Sequence, residues 1–322
     1  MFSSRNRSIG RAHSKLILIG EHAVVYGQPA IALPFPTLTV TCAVEEIDTG
    51  IYIESNLYAG PIEQIPERLK GLATCIRATL QEINKHYKGF LLKIDSKIPI
   101  GRGLGSSAAI AVAIVRSLYQ FFKCDLSGSK LRELVTIAET YAHGNPSGID
   151  MESVVQDEPI WFEREKGIES VTIQSPFYLV VADTGRAGDT RSAVASIKEN
   201  IDKSPLETNQ SIDKIGQYTY EARQALLQGN LNQLGNLLNL AQTELDKLGV
   251  SDKGINHLVD VARSAGAFGA KLTGGGRGGC IIALAENNVQ AKEICQHLNQ
   301  NGAVSTWSFK VEETQKYHSI TS

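Results

Sequence analysis

The chain has 322 residues, 42% hydrophobic and 20% charged, the balance of a globular protein with a sizeable core and about two domains. Its 32 Lys and Arg against 34 Asp and Glu leave a formal net charge of −2, so bulk charge supplies no drive toward nucleic acid or a membrane surface. Cys42, Cys75, Cys124, Cys280 and Cys295 are odd in number, far apart and free of C-x-x-C pairs, which argues against a zinc site or a disulfide framework and fits a reducing compartment.

The N-terminal stretch is basic, but its apolar run "LILIG" is too short for a signal peptide. The longest apolar run, "AAIAVAIV", falls well below the roughly 18 residues of a membrane span. The expected location is cytoplasmic. "KLILIG" (15–20), "LTVTCAVEE" (38–46) and "GIYIES" (50–55) predict strands. Pro66 opens a helical pattern reaching Tyr87, with Leu69, Ala73, Ile76, Leu80 and Ile83 on one face. "FLLKID" (90–95) predicts a further strand.

The next segment, "IPIGRGLGSSAAIAVAIV" (98–115), carries Gly101, Gly103 and Gly105 at alternating positions, then Ser106, Ser107 and an apolar helix reaching about Phe122. A glycine loop feeding a helix start is a natural phosphate cradle, because bare backbone and unpaired N–H groups face the anion. It matches neither the dinucleotide fingerprint nor the Walker A loop, and a tight strand-to-helix turn with close packing is the alternative from this segment alone. Ser129 is expected to cap a helix running to about His143, with Glu133 strengthening its first turn. "HGNPSGID" (143–150) predicts a loop.

Beyond it, "FYLVVADTG" (177–185) predicts a buried strand, and helical patterns dominate from Asp189 to about Ser264. "AFGAKLTGGGRGGCIIALAE" (267–286) predicts strand, glycine loop and strand, and "VSTWSFKV" (304–311) a closing strand. A single boundary near Ser175 is expected, giving domains 1–175 and 176–322. There are no repeats and no low-complexity segment.

Taken together, "GEHAVVYGQPA", "GLGSSAA", "HGNPSGID" and "KLTGGGRGGC" resemble the galactokinase, homoserine, mevalonate and phosphomevalonate kinase superfamily, and within it the mevalonate kinase family. The resemblance runs in order from Lys15 to the closing strand. It implies a two-lobed α+β fold with the active site in the cleft between lobes, and transfer of the γ-phosphoryl of ATP to the C5 hydroxyl of mevalonate with Mg²⁺. Such transfer depends on positioning and charge neutralisation. The resemblance makes Gly101, Arg102, Gly103, Leu104, Gly105 and Ser106 the triphosphate loop, Ser107 and Glu139 the Mg²⁺ ligands, and Ser96 a nucleoside contact. Glu139 lies at the border of the stripe formed by Leu131, Leu134, Val135, Ala138, Tyr141 and Ala142, about 40° beyond Val135. Its alternative is an exposed or salt-bridged Glu.

By the same resemblance Asp150, on its loop, faces the acceptor hydroxyl as general base or orienting acceptor, with Lys15 as counter-charge. Asp150 could equally be a turn or cap residue. Glu21, His22 and Thr190 become acceptor-side groups, His22 having a structural alternative and Thr190 that of a plain N-cap. Gly274, Gly275 and Gly276 are expected to support the phosphate loop. Two features depart from the family pattern. "AHSK" stands where many relatives have Pro-Gly before the Lys, and Arg277 interrupts the second glycine loop. Lys15, Arg186, Arg191 and Arg277 are the obvious cations of the motif regions. A sibling enzyme with another hydroxyl acceptor and a non-catalytic nucleotide sensor are the rival readings. A homodimer fits the family, and feedback by isoprenoid diphosphates stays open.

Overall fold

The computed structural model describes residues 7–143 and 147–314, so Gly144, Asn145 and Pro146 of the expected loop lie outside the described residues. The fold is mixed α+β, and the chain forms two compact units that interleave in sequence. One comprises Met1–Lys15, Pro34–Ile100 and Leu104–Asp157; the other comprises Leu16–Leu33, Gly101–Gly103 and Glu158–Ser322. The sequence reading drew one boundary near Ser175. Instead the chain changes unit at several points, two of them inside continuous strands, where no linker composition marks a crossing.

The first unit holds most of β1 (Arg7–Ile19) and β2 (Ala30–Glu46), then β3 (Gly50–Ser55), β4 (Ala59–Pro61), α1 (Lys70–Ile83), β5 (Gly89–Ser96), α2 (Ser106–Phe121), α3 (Gly128–His143) and α4 (Ile149–Val155). Its strands run in the order β4-β3-β5-β2. β3 and β5 are parallel, and β2 pairs antiparallel to β5 from Val40↔Ser96 to Glu46↔Phe90. β1 begins eight residues before the predicted strand because its inward positions are small. A Cβ on Gly10 would lie 2.1 Å from the Ala113 carbonyl of α2, and Ser8 Oγ donates to the Ser117 carbonyl at 2.7 Å. A helix running this close leaves no room for the large apolar residues that make alternation legible.

α2 is buried around its circumference from Ala108 to Val115, as a helix apolar on every face must be. α1 stops at Asn84, which turns left-handed (φ 47°), short of the expected Tyr87. The cap of α3 is Ser127, not Ser129: its hydroxyl accepts from Lys130 N at 3.2 Å and its carbonyl from Leu131 N at 3.0 Å.

The second unit adds β6 (Ile160–Glu163), β7 (Gly167–Ser170), β8 (Phe177–Asp183), α5 (Thr190–Lys203), α6 (Pro205–Gln228), α7 (Leu231–Lys247), α8 (Lys253–Ser264), β9 (Gly269–Thr273), β10 (Cys280–Ala285), α9 (Asn288–Gln300) and β11 (Ser305–Val311). Here the Ala30–Ala32 end of β2 pairs with β6, and β6 with β7. A separate antiparallel sheet runs β11-β8-β10-β9. Its apolar face, with Val180, Ala182, Leu272, Ile281 and Ala283, packs with Ile212, Leu245, Ile255, Leu258 and Ile294 from the helices. α9 went unpredicted because its buried side is only Ala291, Ile294 and Leu298. Among the described residues no helix is long and apolar enough to cross a membrane.

Candidate active site

In the first unit the site is built on β1. Lys15 is 1% exposed, and its ammonium lies 2.7 Å from Asp150 Oδ1, whose side chain is 36% exposed. A buried ammonium needs such a partner. Asp150 stands not on a loop but in the first turn of α4, entered through left-handed Gly148 (φ 89°). Arg132 Nε reaches both carboxylate oxygens of Glu152, at 3.1 and 2.8 Å, and so ties α4 to α3.

The same strand sets the start of α2. Lys15 N–H and Ser14 Oγ both donate to the Leu104 carbonyl, at 3.2 and 2.7 Å. The Lys15 stem crosses Gly105, which has φ 71° and whose Cβ would fall 2.7 Å from Lys15 Cγ. Only glycine meets both conditions. α2 then opens at Ser106 with no side-chain cap, and among the described residues no backbone N–H from 103 to 107 donates a hydrogen bond. Those donors, at the positive end of a buried helix, form an anion site in waiting. Ser106 and Ser107 are half-buried on this turn, and Glu139, on α3, is 3% exposed, well inside the stripe border expected for it.

Also in this unit, Ser96 lines a largely apolar cavity of about 240 Å³ with Ile53, Asn56, Ile65, Leu72 and Ile98. The sequence pointed to Ser96 alone; Ile98, Pro99, Ile100 and Ile110 come from the glycine-loop segment and α2, and the rest mostly from β3, α1 and the segments between, which carry no motif.

In the second unit, Gly101, Arg102 and Gly103 are held by the protein itself. The Gly101 carbonyl accepts from Gly188 N at 2.7 Å, and a Cβ on Gly103 would sit 3.0 Å from Gly274 Cα. The Arg102 side chain turns to Asp183, with Nε 2.9 and 2.8 Å from its two oxygens, and donates to the Gly185 carbonyl at 3.0 Å.

Glu21 and His22 follow the end of β1. Ala23 N donates to the Glu21 carbonyl at 2.7 Å across His22 (φ 61°, ψ −49°), the rare positive-φ γ-turn. Such backbone costs on the order of 1–3 kcal/mol and concentrates at functional sites. Glu21 pairs with Lys271 of β9, both fully buried, and the ammonium also donates to the Leu272 carbonyl at 2.6 Å. Burial pushes Lys271 below its ordinary pKa, and Glu21 opposes that shift. Lys271 was missed as a site residue; 250 positions separate it from its partner.

The His22 ring lies by the Gly275 backbone, and its Nε2 is buried with no hydrogen-bond partner among the described residues. Burial first, then the charges of Lys271 and Arg277, lower its pKa to about 4 against the pull of Gly275. The ring is neutral near pH 7, and its Nε2 is left open to a ligand. Thr190 is the first residue of α5, and the cap is its neighbour Asp189, whose carboxylate accepts from Ser192 N at 2.9 Å. Thr190 packs so closely on Gly275 that a Cβ there would fall 1.9 Å from its hydroxyl oxygen. Gly275 thus joins His22 and Thr190, between Gly274, which faces Gly103, and Gly276, whose carbonyl accepts from Asp189 N at 3.3 Å.

Comparison with known proteins finds the GHMP kinases N terminal domain over residues 69–155 and the GHMP kinases C terminal region over residues 222–304. The mevalonate kinase of Thermococcus sibiricus is 33% identical, over 87% of this chain and 89% of its own length. That of Pyrococcus furiosus is 31% identical, over 96% and 99%. Among solved structures, the L. major mevalonate kinase in complex with R-mevalonate superposes with a TM-score of 0.83 at 26% identity, over 97% of each chain. The Methanococcus jannaschii mevalonate kinase gives 0.80 at 27% identity, over 95% of this chain and 98% of that one. With both halves of the family matched in order and relatives above 30% identity along nearly their whole length, the chain belongs to the GHMP kinase family and, within it, to the mevalonate kinases.

Proposed function

We propose that the protein transfers the γ-phosphoryl group of ATP to the C5 hydroxyl of mevalonate. The observation that carries this reading is the Lys15–Asp150 pair at 2.7 Å, in the same unit as the uncapped start of α2. Asp150 accepts the hydroxyl proton as the C5 oxygen forms its bond to the γ-phosphorus. The bond from that phosphorus to the bridging oxygen breaks, and ADP leaves with the electron pair. The buried Lys15 ammonium holds the Asp150 carboxylate in place and favours the developing alkoxide. The free N–H groups at 103–107 take the phosphates, and the cavity beside Ser96 takes the nucleoside.

On the acceptor side, Glu21, His22 and Thr190 orient the substrate hydroxyls and carboxylate. The neutral His22 ring presents a buried Nε2 without a partner, and a substrate hydroxyl, which both donates and accepts, satisfies it. Ser107 and Glu139 supply hard oxygen donors of the kind Mg²⁺ takes, one hydroxyl and one nearly buried carboxylate, and would hold the ion. Bound there, Mg²⁺ neutralises phosphate charge. We place the enzyme in the cytoplasm and expect a homodimer, which light scattering measures directly.

The test is ADP release with Mg·ATP against mevalonate, phosphomevalonate, diphosphomevalonate, homoserine and galactose, with phosphorus NMR of the product. Turnover of mevalonate alone to a C5 phosphate ester is the expected result. Turnover of another acceptor would overturn the substrate, and ATP binding without any turnover would turn the reading to a nucleotide sensor.

A further inference from the structure

Arg277 sits in the middle of the glycine loop between β9 and β10 with φ 52°, among Gly274, Gly276, Gly278 and Gly279, all at positive φ. Glycine is the favoured residue for such backbone, so the arginine is kept there against a conformational cost. Its side chain shows what offsets that cost. Nε donates to the Gly249 carbonyl at 3.1 Å, one terminal nitrogen to Ser192 Oγ at 2.7 Å and the other to Ser196 Oγ at 2.9 Å. Its main-chain N–H donates to the Val250 carbonyl at 2.8 Å.

Ser192 and Ser196 are one turn apart on α5, so a planar guanidinium can hold both hydroxyls at once. A single residue thereby joins the glycine loop, the turn after α7 and the first two turns of α5. What those turns carry is Thr190, which meets the loop at Gly275, the same residue whose backbone lies by the His22 ring. All three partners of the Arg277 side chain are neutral, and its guanidinium is one of the charges that lower the His22 pKa.

We infer that Arg277 is a positioning residue for the acceptor: it holds the start of α5 against the glycine loop so that Thr190 and His22 converge on Gly275. The kinetic half of this inference rests on the proposed mevalonate phosphorylation, and the structural half does not.

Two variants test it. Arg277→Gly removes the staple while giving the backbone the residue it prefers. The double variant Ser192→Ala/Ser196→Ala removes two partners and leaves the charge. Losing the staple is expected to raise KM for mevalonate about tenfold, equivalent to ~1.4 kcal/mol, in either variant. KM for ATP should stay within about twofold, well below the effect of a lost charged hydrogen bond. Amide exchange over 192–196 should quicken in both. Unchanged mevalonate KM in both variants, an equal rise in KM for ATP, or unchanged exchange in α5 would each overturn the inference. If the wild-type protein does not phosphorylate mevalonate, the functional reading falls and the exchange experiment decides the staple alone. If Arg277→Gly does not fold, the serine variant decides it.

Discussion

The two glycine loops look alike in sequence and differ in where their backbone groups go. The second loop spends four of its backbone groups on the protein, Arg277 N on Val250, Gly279 N on Arg186, and the carbonyls of Gly276 and Gly279 on Asp189 N and Thr184 N, while among the described residues the N–H groups of 274–276 and 278 donate to nothing. In the first, carbonyls are engaged, at Gly101 and Leu104, while the N–H groups of 103–107 donate to nothing among the described residues. Glycine content and free N–H groups mark both loops, but only the first feeds a helix start, where the open N–H groups meet the positive end of the dipole and suit an anion; the second runs between β9 and β10 and serves as a scaffold. The comparison predicts that lesions around the first loop strike chemistry and nucleotide, and lesions around the second strike the acceptor and stability.

The largest effect is expected at Asp150. Asp150→Asn keeps size and removes the proton acceptor, so kcat should fall by roughly 10²–10⁴, the usual worth of a general base, with nucleotide affinity near wild type. Stopped-flow nucleotide binding beside steady-state turnover measures both. Retained turnover would move the base elsewhere. On the other side, Lys271→Met leaves Glu21 buried without its cation and should cost about 3–5 kcal/mol of stability. Denaturant unfolding reads this, and a loss below about 1 kcal/mol, the surface-pair range, would show that the pair is solvated.

These residues also show where the sequence ran out. The glycine loops stand out in the sequence by composition, and Lys15, Asp150 and His22 were singled out through the family resemblance of the motif runs that hold them; the Lys15–Asp150 pair is the contact the structure adds. Lys271 was invisible as a partner because the pairing joins β9 to the end of β1 across 250 positions. Asp150 was assigned to a loop because Asn-Pro-Ser-Gly reads as a breaker, yet Gly148 in the left-handed region is how α4 begins. The interleaved units escaped notice because strands β1 and β2 pass from one to the other without a break in their patterning.

The His22 ring gives a pH test of the second loop. Its pKa is lowered from 6.5 to about 4 in the folded protein. Between those values the unfolded chain binds a proton that the native ring refuses, so stability rises with pH there and is flat for this group above 6.5. Acidifying through that window should remove roughly 3 kcal/mol, at 1.36 kcal/mol per pH unit. His22→Gln should flatten this part of the stability profile. A wild-type profile already flat from pH 6.5 to 4 would mean that the ring charges in place.

The smallest and most discriminating change is one methyl group in each loop. Gly105→Ala puts a Cβ 2.7 Å from Lys15 Cγ on backbone at φ 71°, beside the free N–H groups. Gly275→Ala puts one 1.9 Å from the Thr190 hydroxyl oxygen at a residue whose φ is not positive. Each overlap should cost about 1–3 kcal/mol of stability, as overpacking does. The functional losses should part ways. In Gly105→Ala the Lys15 stem must yield and the cradle with it, so ATP affinity and kcat fall together. In Gly275→Ala the start of α5 must yield, so KM for mevalonate rises while ATP affinity holds. Titrating both variants with nucleotide and with acceptor decides it: matching profiles would erase the distinction between cradle and scaffold, because the two loops would then behave as one rigid element.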